Sequence, residues 1–253
     1  MKARGWRVLA TARKPGDLER LRSSVGVEPL SLELADEVSI RDCADQALSL
    51  TGGHIDALFN NAAYGQVGAV EDLSADLLRR QIEVNVIGTH ELTRRIVPAM
   101  RAKGSGRIVQ CSSVLGLVAG PYRGAYCASK FALEALSDAM RLELAGAGIF
   151  VSLIEPGPIR TRFLETALEN FRRTIDIEGS AHRTTYLARL KGMEAGGKTT
   201  FKLEPEAVVE KLVHAVEARR PRLCYFVTKP TYVAAALKRV LPDRALDRLL
   251  VRM

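Results

Sequence analysis

The run Arg107-Ile108-Val109-Gln110-Cys111-Ser112-Ser113 and, thirteen residues after Ser113, Tyr126-Cys127-Ala128-Ser129-Lys130 decide how the rest of the chain is read. The first part is short and rich in apolar and β-branched residues, as in a buried strand. From Ala125 to Ala145 apolar residues return at helical spacing. Strand, short loop and helix in that order are half of a crossover unit in a parallel sheet. Tyr126 and Lys130 stand four apart near the helix start, so they share one face, a turn apart. Ser113 closes the strand at the carboxyl edge, where open α/β sheets bind ligands.

Outward from this stretch the alternation continues. Strands are expected at Trp6 to Arg13, Val27 to Leu34, Asp56 to Ala62, Phe150 to Glu155 and Leu223 to Val227. Helical patterns lie near Ser39 to Leu50, Ala75 to Arg101 and Pro205 to Arg220. The fold class is α/β, a doubly wound parallel sheet (Rossmann fold) forming a single domain over all 253 residues. Ile159 to Leu203 break the rhythm with a polar, Gly-containing excursion. At about residues 158–204 it reads as a lid over a substrate, with a disordered surface insertion as the alternative. The tail, 231–253, sets apolar residues at helical spacing among Lys238, Arg239, Arg244, Arg248 and Arg252. Docking on the domain, joining a dimer or touching a membrane surface all fit it.

The net charge of +8 comes from dispersed pairs such as Arg79 with Arg80 and Arg94 with Arg95, which fit solvated helix faces better than a phosphate-binding stripe. Nucleic acid is not the expected partner. Cys43, Cys111, Cys127 and Cys224 have no paired spacing, and the four histidines are scattered, so no metal is expected and the thiols read as reduced. Apolar runs are too short or broken for a membrane span and no signal-peptide pattern opens the chain, which points to the cytoplasm.

A phenol with a pKa near ~10 is a poor proton donor at neutral pH. A cation about 4 Å away contributes roughly 4 kcal/mol at an effective dielectric of about 20, worth ~3 pKa units before desolvation opposes it. Lys130 is therefore expected to bring Tyr126 into the working range. The Ser113 hydroxyl can hydrogen-bond a carbonyl oxygen as negative charge develops on it.

Taken with Asn60-Asn61-Ala62 after a strand, Val84-Asn85-Val86, Ser112-Ser113 and Pro156-Gly157-Pro158-Ile159-Arg160-Thr161, the Tyr126 to Lys130 stretch resembles the short-chain dehydrogenase/reductase family across almost the whole chain. Within it, the Ala10 to Pro15 segment, Val151 to Phe163 and Leu241-Pro242-Asp243-Arg244 look like bacterial NADP-dependent aldehyde reductases and the hydroxysteroid and retinol dehydrogenase branch. The resemblance implies Tyr126 as general acid/base, Lys130 lowering its pKa and holding the nicotinamide ribose, and Ser113 anchoring the substrate oxygen. Asn85 would hold a water linking Lys130 to solvent. Pro156, Gly157, Ile159 and Thr161 would pass close to the nicotinamide, with Thr161 on its carboxamide. Asn61 and Ala62 would line the adenosine ribose, and Glu33 and Leu34 would lie near the adenine. A homodimer or homotetramer is implied as well.

At the end of the Trp6 strand, where a carboxylate would select NAD, the chain has Ala10-Thr11-Ala12-Arg13-Lys14. With Arg13 able to grip a phosphate, NADP(H) is favoured. Three departures stand out. Ala63 replaces the family's usual Gly, and Glu33 its usual Asp. The opening strand and glycine-rich turn that cradle the pyrophosphate are not found, and Met1 to Gly5 look like the end of the helix after that turn. The chain is thus expected to begin late, leaving the Trp6 and Asp56 strands without their shared neighbour. The activity implied is hydride transfer between NADP(H) and an apolar aldehyde, ketone or alcohol, the substrate lying against Tyr64, Leu115, Leu117, Val118 and Phe163. The alternative is a catalytically impaired binding protein or oligomer partner.

Overall fold

A computed structural model describes residues 1–194 and 201–251; residues 195–200 of the expected lid, and 252–253 of the tail with Arg252, lie outside them. All six expected strands form, four of them shortened at both ends, the fourth strand shifted toward Gly106 and the fifth longer by Ile149: β1 (Leu9–Ala12), β2 (Glu28–Ser31), β3 (Ala57–Asn60), β4 (Gly106–Cys111), β5 (Ile149–Glu155) and β6 (Cys224–Phe226). Every neighbouring pair is parallel. The strands make two pieces, β1-β2 and β3-β4-β5-β6, and among the described residues no hydrogen-bonded ladder joins β1 to β3. Lys2–Arg4 form a helical turn closed by Gly5 in the left-handed region (φ 84°), its N–H on the Lys2 carbonyl, which is how helices end.

Successive residues of a strand face opposite sides, and in β4 both sides are covered. Ile108 packs with Leu30, Ile40, Met100 and Val151, beneath α2 (Glu37–Leu50) and α4 (Thr89–Lys103). Val109 packs with Ile154, Leu212, Ala215 and Tyr225, beneath α8 (Glu206–Glu217). Leu30 of β2 and Ile108 of β4 share one core, so apolar packing is continuous where the ladder is not.

The helical reading of Ala75 to Arg101 needs correction. α3 (Ala75–Ile82) passes into a wider π turn (Glu83–Gly88) before α4 begins. Such turns mark places where a ladder gives way to a local constraint; here Gly88 lies so near Leu34 that a Cβ would overlap the Leu34 carbonyl oxygen. The sequence reading also passed over α1 (Pro15–Arg20), opened by a proline in its first turn. α5 (Gly124–Glu143) follows the β4 loop as expected.

The excursion is not a disordered insertion where described. It contains α6 (Phe163–Thr174) and α7 (Arg183–Glu194), and its ends are stitched together. Ile159 and Leu203 form a parallel bridge, the Arg160 N–H donates to the Leu203 carbonyl at 2.9 Å, and Arg160 pairs with Glu204 at 2.6 Å. The tail forms α9 (Lys229–Val240) and α10 (Asp243–Leu250).

Candidate active site

The β4–β5 ladder continues past β4. Ser112 N–H donates to the Ile154 carbonyl and Val114 N–H to that of Pro156, both at 2.8 Å, which sets Ser113 beside the start of the segment after β5. The Ser113 hydroxyl accepts from the Leu115 N–H at 3.1 Å and lies near enough to the Tyr126 phenol to favour its ionised form. From the first turns of α5, Lys130 reaches back to donate from Nζ to the Cys111 carbonyl at 2.7 Å, with Nζ 5.6 Å from the Tyr126 ring centroid. Ser113, Tyr126 and Lys130 therefore meet at the carboxyl edge of β4, and Lys130 is only 3% exposed.

Asn85 belongs to the same site by a different route. Its Oδ1 accepts from the Tyr64 N–H at 3.1 Å, and its Nδ2 donates to the Tyr64 carbonyl at 2.9 Å and to Ser129 Oγ at 3.1 Å. Ser129 in turn donates to the Tyr126 carbonyl at 2.7 Å. The direct bonds of Asn85 thus hold the backbone around Tyr126 and Tyr64 and do not touch Lys130. The π turn aims Asn85 into this position.

Electrostatically the expected lowering of the Tyr126 pKa is overturned. Burial pushes the phenol well above its ordinary range; the Ser113 hydroxyl and the Arg123 charge pull it down, and the Cys111 and Cys127 thiols push it up. Burial also lowers Lys130, opposed by Cys111 and Glu134. The reason is the cost of placing either charge in a dry site. In the protein alone burial is the largest influence on both groups.

Arg13 and Glu33, both read as cofactor residues, pair with each other at 3.2 Å at the ends of β1 and β2. Leu34 is buried beneath Gly88, whereas Asn61 and Ala62 lie exposed after β3. The close approach that demands Gly157 proves to be to protein. A Cβ there would overlap Thr228 Oγ1 and lie 2.9 Å from Thr231 Oγ1, and those two buried hydroxyls are 3.1 Å apart at the start of α9. Sequence reasoning missed Thr228 and Thr231, whose only signal was a pair of threonines opening the tail helix. Ile159 is engaged in its bridge with Leu203, and Thr161 Oγ1 caps the Phe163 N–H at 3.3 Å.

On the open side, the Phe163 ring lies 5.4 Å from that of Tyr126 and covers Gly65, where a Cβ would come within 2.8 Å of it. Tyr64 is partly buried, its hydroxyl unpartnered and its pKa raised by burial, against the pull of Arg80. Leu115 and Val118 are buried and Leu117 is half-buried. A cavity of about 750 Å³ is lined by Val70, Pro121, Tyr122, His182, Arg189 and Val251, among others. The sequence reading assigned none of these residues to a site.

These features define a Rossmann-type α/β protein with a Ser-Tyr-Lys group at the edge of an inner strand. The chain belongs to the short-chain dehydrogenase family of oxidoreductases, whose model, described as short chain dehydrogenase, matches residues 1–171. It is 42% identical over 251 residues to the uncharacterized oxidoreductase YbbO of Escherichia coli (strain K12), covering 99% of this chain and 87% of that protein. Human 17-beta-hydroxysteroid dehydrogenase type 1 is 35% identical over 206 residues, covering 80% of this chain and 61% of that protein. The solved structure of a short-chain dehydrogenase from Streptomyces avermitilis superposes with a TM-score of 0.79 at 27% identity, covering 98% of this chain and 86% of that one.

Proposed function

We propose that this protein is a cytoplasmic NADP(H)-dependent oxidoreductase that reduces an apolar aldehyde or ketone, or oxidises the corresponding alcohol, with Tyr126 as its general acid/base. The observation that carries this reading is the meeting of Ser113, Tyr126 and Lys130 at one strand edge. The Ser113 hydroxyl donates to the carbonyl oxygen, and the Tyr126 phenol delivers its proton as that oxygen gains charge.

When bound, the cofactor supplies the hydride. The residues present fit its nicotinamide end. Lys130 spends one donor on Cys111 and has others for ribose hydroxyls, and Pro156, Gly157, Ile159 and Thr161 follow β5 beside Ser113. Asn61 and Ala62 line the adenosine ribose, with Glu33 and Leu34 toward the adenine. Arg13 holds the phosphate of NADP by releasing Glu33 from their exposed pair, an exchange costing about 1 kcal/mol or less. A homodimer or homotetramer acting on a small molecule, without nucleic acid, completes the reading. Among the described residues no helix is long and apolar enough to cross a membrane.

The separation of β1 from β3 favours a second reading, a binding protein or oligomer partner that does not hold the cofactor. One set of measurements decides. NADPH and NADH oxidation with medium-chain aldehydes, retinal and steroid ketones is compared between wild type and Tyr126→Phe, beside calorimetric titration with NADPH. Expected are NADPH binding, preference for NADPH, and a loss of at least about 10²-fold in kcat on removal of the hydroxyl. Equal rates in wild type and variant refute the role of Tyr126, faster NADH oxidation refutes the cofactor choice, and no NADPH binding favours the second reading.

A further inference from the structure

Among the described residues, two guanidinium groups near the site have no carboxylate partner. Arg189, on α7, lines the 750 Å³ cavity with its charge 4.6 Å from the Tyr122 ring centroid. No carboxylate lies within ion-pair distance of it among the described residues. Arg123 immediately precedes α5, three residues before Tyr126, and its backbone bridges Gly68. Its charge acts on Tyr126, and burial and the charge of Arg189 disfavour it in turn.

The acidic groups nearby are already engaged. Glu71, the carboxylate in the cavity lining, is held by His182 Nε2 at 2.5 Å. Asp72 is taken by the hydroxyls of Ser180 and Tyr186. Tyr122, which offers its ring to Arg189, sits at φ 64°, a left-handed conformation that a bulky residue adopts only when its surroundings impose it. Below Arg189 the cavity continues over apolar Ala69, Val70 and Pro121. Arg189 beside an apolar hollow, with Arg123 following the cavity-lining Tyr122 in the chain, complements an apolar chain ending in planar anionic oxygens, which guanidinium forks match in geometry.

We propose that the carbonyl substrate of this enzyme carries an anionic end group, held by Arg123 and Arg189 with the apolar chain in the cavity and the carbonyl at Tyr126. This rests on the proposed carbonyl-reducing function and narrows its substrate from any apolar carbonyl to an oxo acid or similar anion. Arg123 sets how far the anion stands from the phenol, and Arg189 turns it toward α7.

The test compares kcat/KM with NADPH for medium-chain ω-oxo carboxylates and for neutral aldehydes of equal length, in wild type, Arg189→Gln, Arg123→Gln and Arg189→Lys. The expected result is a wild-type preference for the oxo acid. The acid-to-aldehyde ratio falls about tenfold in each Gln variant, as loss of one charge-assisted contact implies, and recovers in part with Lys. A wild type that prefers the neutral aldehyde, or a ratio unmoved in both Gln variants, overturns the proposal. Calorimetric titration with the non-reducible alkanoate, without cofactor, gives an independent readout. Alkanoate binding that weakens tenfold in Arg189→Gln, in a protein that reduces neither carbonyl, upholds the anion site and sinks the reaction assigned to Tyr126. Carbonyl reduction with no detectable alkanoate binding by wild type does the reverse.

Discussion

The carboxyl edge of β4 and the excursion between Ile159 and Leu203 are secured by opposite means. At the edge, side chains bond to backbone: Lys130 to the Cys111 carbonyl, Asn85 to both polar groups of Tyr64, Ser129 to the Tyr126 carbonyl. Of these, the Cys111 carbonyl is fixed by the sheet and the Tyr126 carbonyl by α5. The excursion instead docks through side chains on residues 66–72: Gln66 on Thr174 at 3.0 Å, Tyr186 on Asp72 and on the Ala69 N–H, Ser180 on Asp72, His182 on Glu71. Its apolar part is small, with Phe171, Ile175 and Tyr186 packed on Ala69. Water can replace such contacts one at a time, whereas it cannot replace a ladder. The excursion is therefore expected to open more readily than the edge.

Three substitutions test this contrast. Gly88→Ala attacks the fixed region where a Cβ meets the Leu34 backbone, and neither side can yield without moving α4 from β2. A loss of more than about 3 kcal/mol is expected, read as a lowered urea midpoint; a loss below about 1 kcal/mol would mean the edge is softer than described.

Glu155→Gln probes the dryness of the same region. Glu155 ends β5 fully buried with both oxygens unpartnered, and burial, with Glu134 adding to it, pushes its pKa to about 7. The unfolded carboxyl stays near its ordinary value, so the fold binds the proton more tightly. Stability from this group is complete below about pH 4.5, falls as pH rises, and is gone above about pH 7. The variant should gain roughly 2–3 kcal/mol above pH 7 and nothing below pH 4.5. A gain independent of pH in a urea titration series would refute the titration.

Tyr186→Phe removes the hydroxyl that serves Asp72 and the Ala69 N–H, costing about 1–2 kcal/mol. It should speed proteolytic cleavage within 163–194 while leaving hydrogen exchange in β4 unchanged. Equal acceleration in β4 would show that the two regions open as one.

Much of the edge was legible because local patterns fix it. Strand periodicity, a serine closing the strand, and a Tyr and Lys four apart on a helix all act over short distances, so position in sequence predicts position in space. The π turn escaped because Asn85 and Gly88 are indistinguishable from ordinary helix residues until Leu34, far away in sequence, crowds them. The rise of the Tyr126 pKa escaped for a related reason: a spacing of four reports the nearness of Lys130 but says nothing of how completely both groups are dried. Helices α6 and α7 were hidden by polar outer faces, since the partners they bury belong to residues 66–72. Likewise Gly157 announced a close approach without revealing that Thr228 is what approaches.

The bridge between Ile159 and Leu203, reinforced by Arg160 and Glu204, brings the two mouths of the excursion within a hydrogen bond of each other. This makes it an exchangeable cassette. Once the ends of a loop are joined, doubling the chain between them costs only about 0.6 kcal/mol in closure entropy. A lineage can therefore lengthen, shorten or reshape this cassette to suit a new ligand while the strands that carry the proton chemistry keep their register.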